Sequence, residues 1–334
     1  MSFPNIVLSD DDGEERRLKL KELIEPDWAE ALCSHFQMGK WSGKWERLGG
    51  VFNVNVKLTT DQGDYVVKIS PLSDHTQQFA EIYRLQWRLA DRGIPVALPL
   101  ESIDGLPYWN FAGKLLQVSP FINGGYFSEL QEQVRASGAM LRTFHDALSG
   151  IACNLQPKGS FFQPYEYCQA ALKKLAGYDK ISRFGLSEVR ECVERVYGQW
   201  EAFNYRLPMT ILHGDWHFWN QLYDGDRVCG VLDLDGMVKG PRILDVAYVM
   251  WVIHILLPKQ ADEFRTAFFA GYGKLSCTES VMLPWATAKI SLYFLCHSAY
   301  SRKPTAKWNK QYANQMPFIR WLLADGERES SDLV

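Results

Sequence analysis

The chain has 334 residues, enough for one large domain or two modest ones with a sizeable core. Hydrophobic residues make up 47% and charged residues 22%, with a formal net charge of −3, so the composition is that of a globular protein without the basic surface a nucleic-acid binder wants. Seven scattered cysteines, an odd number with no Cys-x-x-Cys pair, argue against a disulfide framework and a structural zinc site; reduced thiols in a cytoplasmic protein are the expectation.

The first twenty residues hold no apolar signal-like core, and no stretch reaches the roughly 18 apolar residues of a membrane helix, so no membrane partner is expected. An amphipathic helix is predicted around Trp28 to Phe36. From Trp45 to Ser70 two β-rich runs flank the turn signal Asp61-Gln62-Gly63-Asp64. Residues 76 to 93 show helical spacing at Phe79, Ile82, Tyr83, Leu85 and Leu89, with Gly93 as the stop. Residues 94–102 and 114–122 read as further strands, and Asn123-Gly124-Gly125 then breaks the chain.

Beyond that break the spacing predicts helices over 128–149, 163–176, 186–204, 243–257, 259–273, 281–300 and 308–323. The longest apolar run, Val246 to Pro258, is too short to span a bilayer and contains His254, so it reads as a buried helix. A β-rich first third before a helical remainder predicts an α+β fold of two lobes with a cleft between them. The divisions are 1–118 for an N-terminal nucleotide-binding lobe with an extension over 1–40, 119–125 for a hinge, and 126–334 for a helical catalytic and acceptor lobe.

The densest chemistry lies in ILHGDWHFWNQLY, from Ile211 to Tyr223. Asn220 follows Asp215 by five residues. Asp224-Gly225-Asp226 is a hairpin turn, and the strand after it delivers Asp233, thirteen residues beyond Asn220. Two oxygen ligands, Asn220 and Asp233, suit Mg²⁺, which keeps water and shares itself with phosphates. A third carboxylate, Asp215, is left to orient or deprotonate a hydroxyl, the division of labour in kinase-type phosphoryl transfer. Each aspartate alone reads as readily as a turn cap or a loop charge; the ordered set around a hairpin favours chemistry.

The rest of a nucleotide site has candidates in the right order. Lys68 sits in the apolar β run YVVKIS, and Glu81 lies on the following helix between Ala80 and Ile82. Gly49 and Gly50 lie between strand-like runs, with Asn53 nearby.

These residues resemble the aminoglycoside phosphotransferase and choline kinase family of small-molecule kinases, which have a protein-kinase-like fold. The resemblance spans about residues 45 to 300 and rests on HGDWHFWN (213–220), GVLDLDG (230–236) and GPRILDVA (240–247), with softer matches in LGGVFNVNV, YVVKI, RGIPVA and LRTFHDAL. It implies that Asp215 is the catalytic base, Asn220 and Asp233 the magnesium ligands, and Lys68 with Glu81 a phosphate-positioning ion pair. Gly49, Gly50 and Asn53 would lie in the nucleotide loop, Gln117 to Ile122 would be the adenine hinge, and His213 and Asp245 would hold the catalytic loop. Mg²⁺ is the implied cofactor and ATP or GTP the co-substrate. Two departures stand out: Phe218 and Trp219 occupy a stretch where the family often has small residues or proline, and the nucleotide loop is short of glycine.

Only eleven residues separate Asp233 from Asp245, too few for the activation segment of a regulated protein kinase, which favours a small hydroxyl acceptor over a protein one. The resemblance permits homoserine, choline, aminoglycosides and methylthioribose. Trp216, Trp219, His217 and Asp235 are candidates for the acceptor side, where aromatic faces and a carboxylate would frame an amine; the alternative is that the tryptophans pack beneath the loop. A Ser/Thr protein kinase and a silent nucleotide-binding protein are the competing readings, and a His-x-x-x-His zinc hydrolase is disfavoured by Gly214 and the loop context. The expected oligomeric state is a monomer or homodimer.

Overall fold

A computed structural model describes residues 26–48, 53–71, 76–111, 113–155 and 163–331. The chain has an α+β fold made of two compact units, Met1–Gly124 and Gly125–Val334.

The first unit is built on a five-stranded antiparallel sheet. Its strands are β1 (Trp41–Arg47), β2 (Val54–Thr60), β3 (Gly63–Pro71), β4 (Trp109–Phe111) and β5 (Lys114–Pro120), in spatial order β1-β2-β3-β5-β4. Helix α1 (Pro26–His35) supplies Trp28 and Leu32 to a core with Val56, Leu58, Val67, Ile69, Leu116 and Val118. These residues recur every second position along β2, β3 and β5, so one face of the sheet is apolar and buried. Lys68 falls between Val67 and Ile69, in register with Asn55 and Gln117, and so lies on the opposite face of the central strand. That register accounts for a lysine inside an apolar run. Helix α2 (Thr76–Asp91) turns Ile82, Leu85 and Leu89 inward, as its spacing predicts.

Two strand expectations need correction here. Residues 94–102 form no strand, because Pro95 and Pro99 lack the N–H groups a ladder needs; the segment runs irregularly, with the Leu100 N–H donating to the Val118 carbonyl at 2.7 Å. Conversely, the strand-like run before Gly49 begins at Trp41, four residues ahead of the β-rich stretch predicted from Trp45. This edge strand is exposed along most of its length and carries no alternation to betray it.

The second unit is mostly helical. Its helices are α3 (Gln131–Leu148), α4 (Tyr165–Leu175), α5 (Arg183–Phe203), α6 (Ile243–Trp251), α7 (Ala261–Tyr272), α8 (Cys277–His297) and α9 (Pro304–Ser331). Helices α3 and α7 meet at two glycines: a Cβ on Gly138 would lie 2.3 Å from the Phe268 carbonyl, and one on Gly271 would lie 1.9 Å from the Arg135 carbonyl. The single helix expected over 243–257 is α-helical only to Trp251; Val252–Leu256 continue as a π turn, where His254 Nδ1 donates to the Met250 carbonyl at 2.8 Å. Among the described residues no single helix is long and apolar enough to cross a membrane.

Two short strand pairs sit among these helices. Strand β6 (Met209–Leu212) pairs with β9 (Val238–Pro241), and β7 (Gln221–Asp224) pairs with β8 (Arg227–Val231) across the predicted hairpin. Together they fix the segments that carry the motif.

Candidate active site

The site in the second unit is assembled from strand ends. His213 leaves β6, a 3₁₀ turn over Phe218–Asn220 leads into β7, and β8 hands the chain to Asp233. Gln221 pairs with Val231, and the Leu232 N–H donates to the Asn220 carbonyl at 2.9 Å, so Asn220 and Asp233 emerge from neighbouring strand ends. Leu212 pairs with Val238, which brings the loop after β6 against the turn before β9. The two backbones touch there: Gly214 has φ +81°, and a Cβ on it would stand 2.1 Å from the Gly236 carbonyl.

Helix α6 holds the loop's backbone. Asp245 is fully buried, and its carboxylate accepts from the N–H groups of His213 at 2.8 Å and Gly214 at 3.0 Å. Its third partner is His145 of α3, whose Nε2 lies 3.0 Å away and whose Nδ1 faces the Tyr272 hydroxyl at 3.0 Å. A buried carboxylate needs such donors, since an unpaired one costs several kcal/mol. His213 is locked in turn: the Asp215 N–H donates to its Nδ1, which leaves Nε2 as the donor to the Leu232 carbonyl at 2.9 Å.

The Asp215 side chain is 40% exposed. Asn220 Nδ2 donates to both the Asp215 carbonyl at 2.9 Å and its Oδ2 at 3.1 Å. With the amide nitrogen committed to Asp215, Asn220 presents Oδ1 as its remaining acceptor. Asp233 is exposed and adopts a left-handed backbone, φ +58° and ψ 59°, a conformation that costs a side-chain-bearing residue about 1–2 kcal/mol. Aspartate is among the few residues that visit it. Asp235 sits two residues on, half-buried, in the 3₁₀ turn Leu234–Gly236.

An amide oxygen and a carboxylate are the hard donors a magnesium ion accepts, and two protein ligands are enough when phosphates and water complete the shell. No cluster of three His, Cys, Asp or Glu side chains that would hold a metal by itself occurs among the described residues. The donor set therefore fits a cation that arrives with a phosphate ligand.

The acceptor-side candidates separate. Trp216 is buried, with its Nε1–H on Ser137 Oγ at 3.1 Å and its ring edge-on to His213, so the packing alternative holds for it. Trp219 is half-buried and packs edge-on to Phe127 at 5.7 Å, while Phe218 stacks on the same ring at 4.7 Å. The bulky pair that departs from the family's pattern is thus accommodated by Phe127, two residues after the break at Asn123-Gly124-Gly125. His217 lies with Nε2 3.8 Å from Asp215 Oδ2; burial lowers its imidazole below the usual value, against the pull of that carboxylate. Its carbonyl accepts from the Asn220 N–H at 2.9 Å and from Gln221 Nε2 at 3.2 Å, which steadies the loop.

The nucleotide-side candidates belong to the first unit. Lys68 is half-buried on β3. The Glu81 carboxylate accepts both Nε and Nη2 of Arg84, at 3.0 and 2.8 Å. Asn53 Oδ1 accepts from Ser70 Oγ at 2.8 Å. Gly49 and Gly50 lie outside the described residues.

One residue at this site escapes a reading by motif. Tyr248 follows Asp245 by three positions, one turn along the same face of α6, and its ring stands 6.4 Å from that of His217. Burial pushes its phenol far above the usual value, and the charge of Asp215 adds to the shift. The Asp-x-x-Tyr spacing is the signal that could have found it.

Comparison with known proteins agrees with this geometry. The model of the phosphotransferase enzyme family, APH, matches residues 44–282. The chain belongs to that family. A homoserine kinase of Methylobacillus flagellatus is 25% identical over 227 residues, covering 67% of each chain. Among solved structures, an amicoumacin kinase superposes with a TM-score of 0.67 at 16% identity, over 88% of this chain and 94% of the other. A microcompartment-associated aminopropanol kinase superposes with a TM-score of 0.68 at 14% identity, over 85% and 93%. The fold of this phosphotransferase is that of the protein-kinase-like small-molecule kinases.

Proposed function

We propose that this phosphotransferase moves the γ-phosphoryl group of ATP or GTP to the hydroxyl of a small amino alcohol of the size of homoserine. The observation that carries the reading is the pairing of Asp215 with Asn220: the amide nitrogen of Asn220 holds the Asp215 carboxylate, leaving one amide oxygen for a cation and one carboxylate for a hydroxyl. The similarity to a homoserine kinase supports the choice of acceptor.

In this reading Asp215 orients the acceptor hydroxyl and takes its proton as the new O–P bond forms and the bond to the departing diphosphate breaks. Asn220 and Asp233 would hold Mg²⁺, which supplies charge neutralisation on the transferring phosphoryl group. Lys68 would orient the phosphates, with Glu81 behind it, and Asn53 would lie at the nucleotide loop beside Gly49 and Gly50. Trp219, His217 and Asp235 would border the acceptor. Most of the barrier reduction comes from positioning and fixed charge.

A protein acceptor is disfavoured because the interval from Asp233 to Asp245 is already occupied. A 3₁₀ turn, β9 and the start of α6 fill it and leave no free activation segment. A purely binding role is disfavoured because the base and both proposed ligands are present, with Asn220 hydrogen-bonded to Asp215 and Asp233 on the neighbouring strand end.

The test is Mg-dependent nucleotide consumption across homoserine, choline, ethanolamine, methylthioribose, several aminoglycosides and a generic protein substrate, each with ATP and with GTP. Homoserine is expected to give the signal. Asp215→Asn is expected to lower kcat at least about 100-fold, the lower end of what general-base catalysis contributes, while thermal-shift binding of the nucleotide persists. Activity retained in the variant would remove Asp215 from its role.

A further inference from the structure

The segment that begins at Gly125 is strapped to the β7–β8 hairpin on both sides of Phe127. Ahead of Phe127, the Gly125 N–H donates to the Tyr223 carbonyl at 2.7 Å, and the Tyr223 N–H donates to the Gly125 carbonyl at 2.8 Å. After it, the Ser128 N–H donates to Gln133 Oε1 at 2.8 Å, and Gln133 Nε2 donates to the carbonyl of Gly225, in the hairpin turn, at 3.0 Å. Resting on the reading of Asn220 as a magnesium ligand, we propose that Phe127 is a positioning residue for Asn220: its ring fixes the Phe218–Asn220 turn and so sets where the Asn220 amide oxygen stands.

The turn needs outside support. It is a three-residue 3₁₀ piece, closed by the Asn220 N–H bond to the His217 carbonyl at 2.9 Å, and hydrogen bonds in such short pieces have poor geometry. Side-chain packing supplies what the backbone does not. Phe127 packs against residues on both sides of Asn220. Its ring stacks on Phe218, with centroids 4.7 Å apart and planes 30° apart, and meets Trp219 edge-on at 5.7 Å and 89°. The Tyr223 ring lies 6.1 Å away on the far side of Asn220, and Phe264 of α7 backs the cluster at 6.2 Å. Phe127, Phe218 and Tyr223 are all buried. Stacked and edge-to-face contacts are directional, so an aliphatic side chain of similar hydrophobicity does not reproduce them. Asp215 fixes which way the Asn220 amide faces, through its carbonyl and Oδ2; the turn beneath fixes where the amide lies. A metal ligand depends on both, and the groups that orient it share in the affinity.

The test reads metal binding rather than turnover. Phe127→Leu keeps an apolar side chain in place and removes the ring. Mn²⁺ stands in for Mg²⁺, and electron paramagnetic resonance follows its binding to the full chain saturated with ADP. The expected result is Mn²⁺ bound at least about 10-fold more weakly, the lower end of what losing a ligand's supporting group costs in metal affinity, with ADP affinity in the absence of metal unchanged. The second arm is a double-mutant cycle. Because Phe127 acts through Asn220, adding Phe127→Leu to Asn220→Ala is expected to weaken Mn²⁺ no further. Trp219→Leu removes only the edge contact, at a half-buried position, and is expected to give a smaller loss of the same kind; it decides the matter if Phe127→Leu does not fold. Wild-type Mn²⁺ affinity in the folded variant, an equal fall in metal-free ADP affinity, or a full additional loss in the double variant would overturn the proposal. Failure of the ligand reading looks different: Asn220→Ala itself would then bind Mn²⁺ as the wild type does, and the proposal would fall with it.

Discussion

At the scale of single residues, the site depends on where a side chain is absent as much as on where one is present. Gly214 must take a left-handed φ and let the Gly236 carbonyl approach to where its Cβ would be. Gly214→Ala is expected to cost at least about 2 kcal/mol, from backbone strain and overpacking together, and to remove activity by displacing Asp215, its neighbour. Thermal unfolding and kcat measured on the same preparation check this; an alanine variant with wild-type stability and turnover would show that the two loops are free to part. Asp215, Asn220 and Asp233 were legible in the sequence because their intervals of five and thirteen residues reflect chain geometry. Trp216 was not, because an aromatic beside a proposed base reads equally well as a pocket wall or as core. Only its bond to Ser137, 79 residues away, decides between them.

At the scale of elements, α6 and α8 are joined where both begin. Arg242 precedes α6 and forks onto Glu279 in the first turn of α8, with Nε at 2.7 Å from one carboxylate oxygen and Nη2 at 2.8 Å from the other. Glu279 is fully buried and also completes a capping box with Ser276. Burial alone would raise its carboxyl, but the Arg242 fork and the Ser276 donors outweigh it and hold it below the usual range. The folded protein therefore keeps this carboxylate ionised more easily than the unfolded chain does. Its contribution is present above the unfolded value of about 4.3 and is lost as pH falls through the folded one. Glu279→Gln is expected to cost about 2 kcal/mol at pH 7 by leaving a half-buried guanidinium half-paired. The gap between variant and wild type should then narrow as pH falls below about 4.3 toward the lower folded value; urea midpoints followed downward from pH 7 measure it. A gap that persists at acid pH would assign the cost to packing. The hairpin of β7 and β8 was predictable because Asp-Gly-Asp carries a turn's own chemistry. The pair Arg242–Glu279 was not, since nothing local links residues 37 apart. Strand β1 was placed only from Trp45, four residues late, because an exposed edge strand lacks alternation.

At the scale of the whole molecule, the change from β-rich to helical patterning near Gly124 was visible in the sequence, and the α+β fold follows from it. Residue pairings between distant helices were not visible, because periodicity reports which face is buried and not what covers it. Global stability should also carry an acid limb from histidine. Burial lowers His254 and His297 below the usual imidazole value, with Lys307 adding to the effect on His297 and the Met250 carbonyl opposing it on His254. Below about pH 6.5 the unfolded chain takes up protons that these folded rings refuse. Stability is expected to be flat above that pH and to fall as pH drops from there toward the folded values. His254→Gln should make the fall shallower between pH 6.5 and pH 5, as read by unfolding temperature. An unchanged slope would show that other groups govern that limb.

The left-handed backbone at Asp233 sets two demands against each other. The backbone would be better served by glycine, by about 1 kcal/mol, whereas the proposed chemistry requires the carboxylate. A laboratory selection that rewarded heat resistance alone would drift this position toward glycine and enrich sturdy, inactive proteins. A library built to harden this phosphotransferase should keep residue 233 fixed, or score turnover in every round.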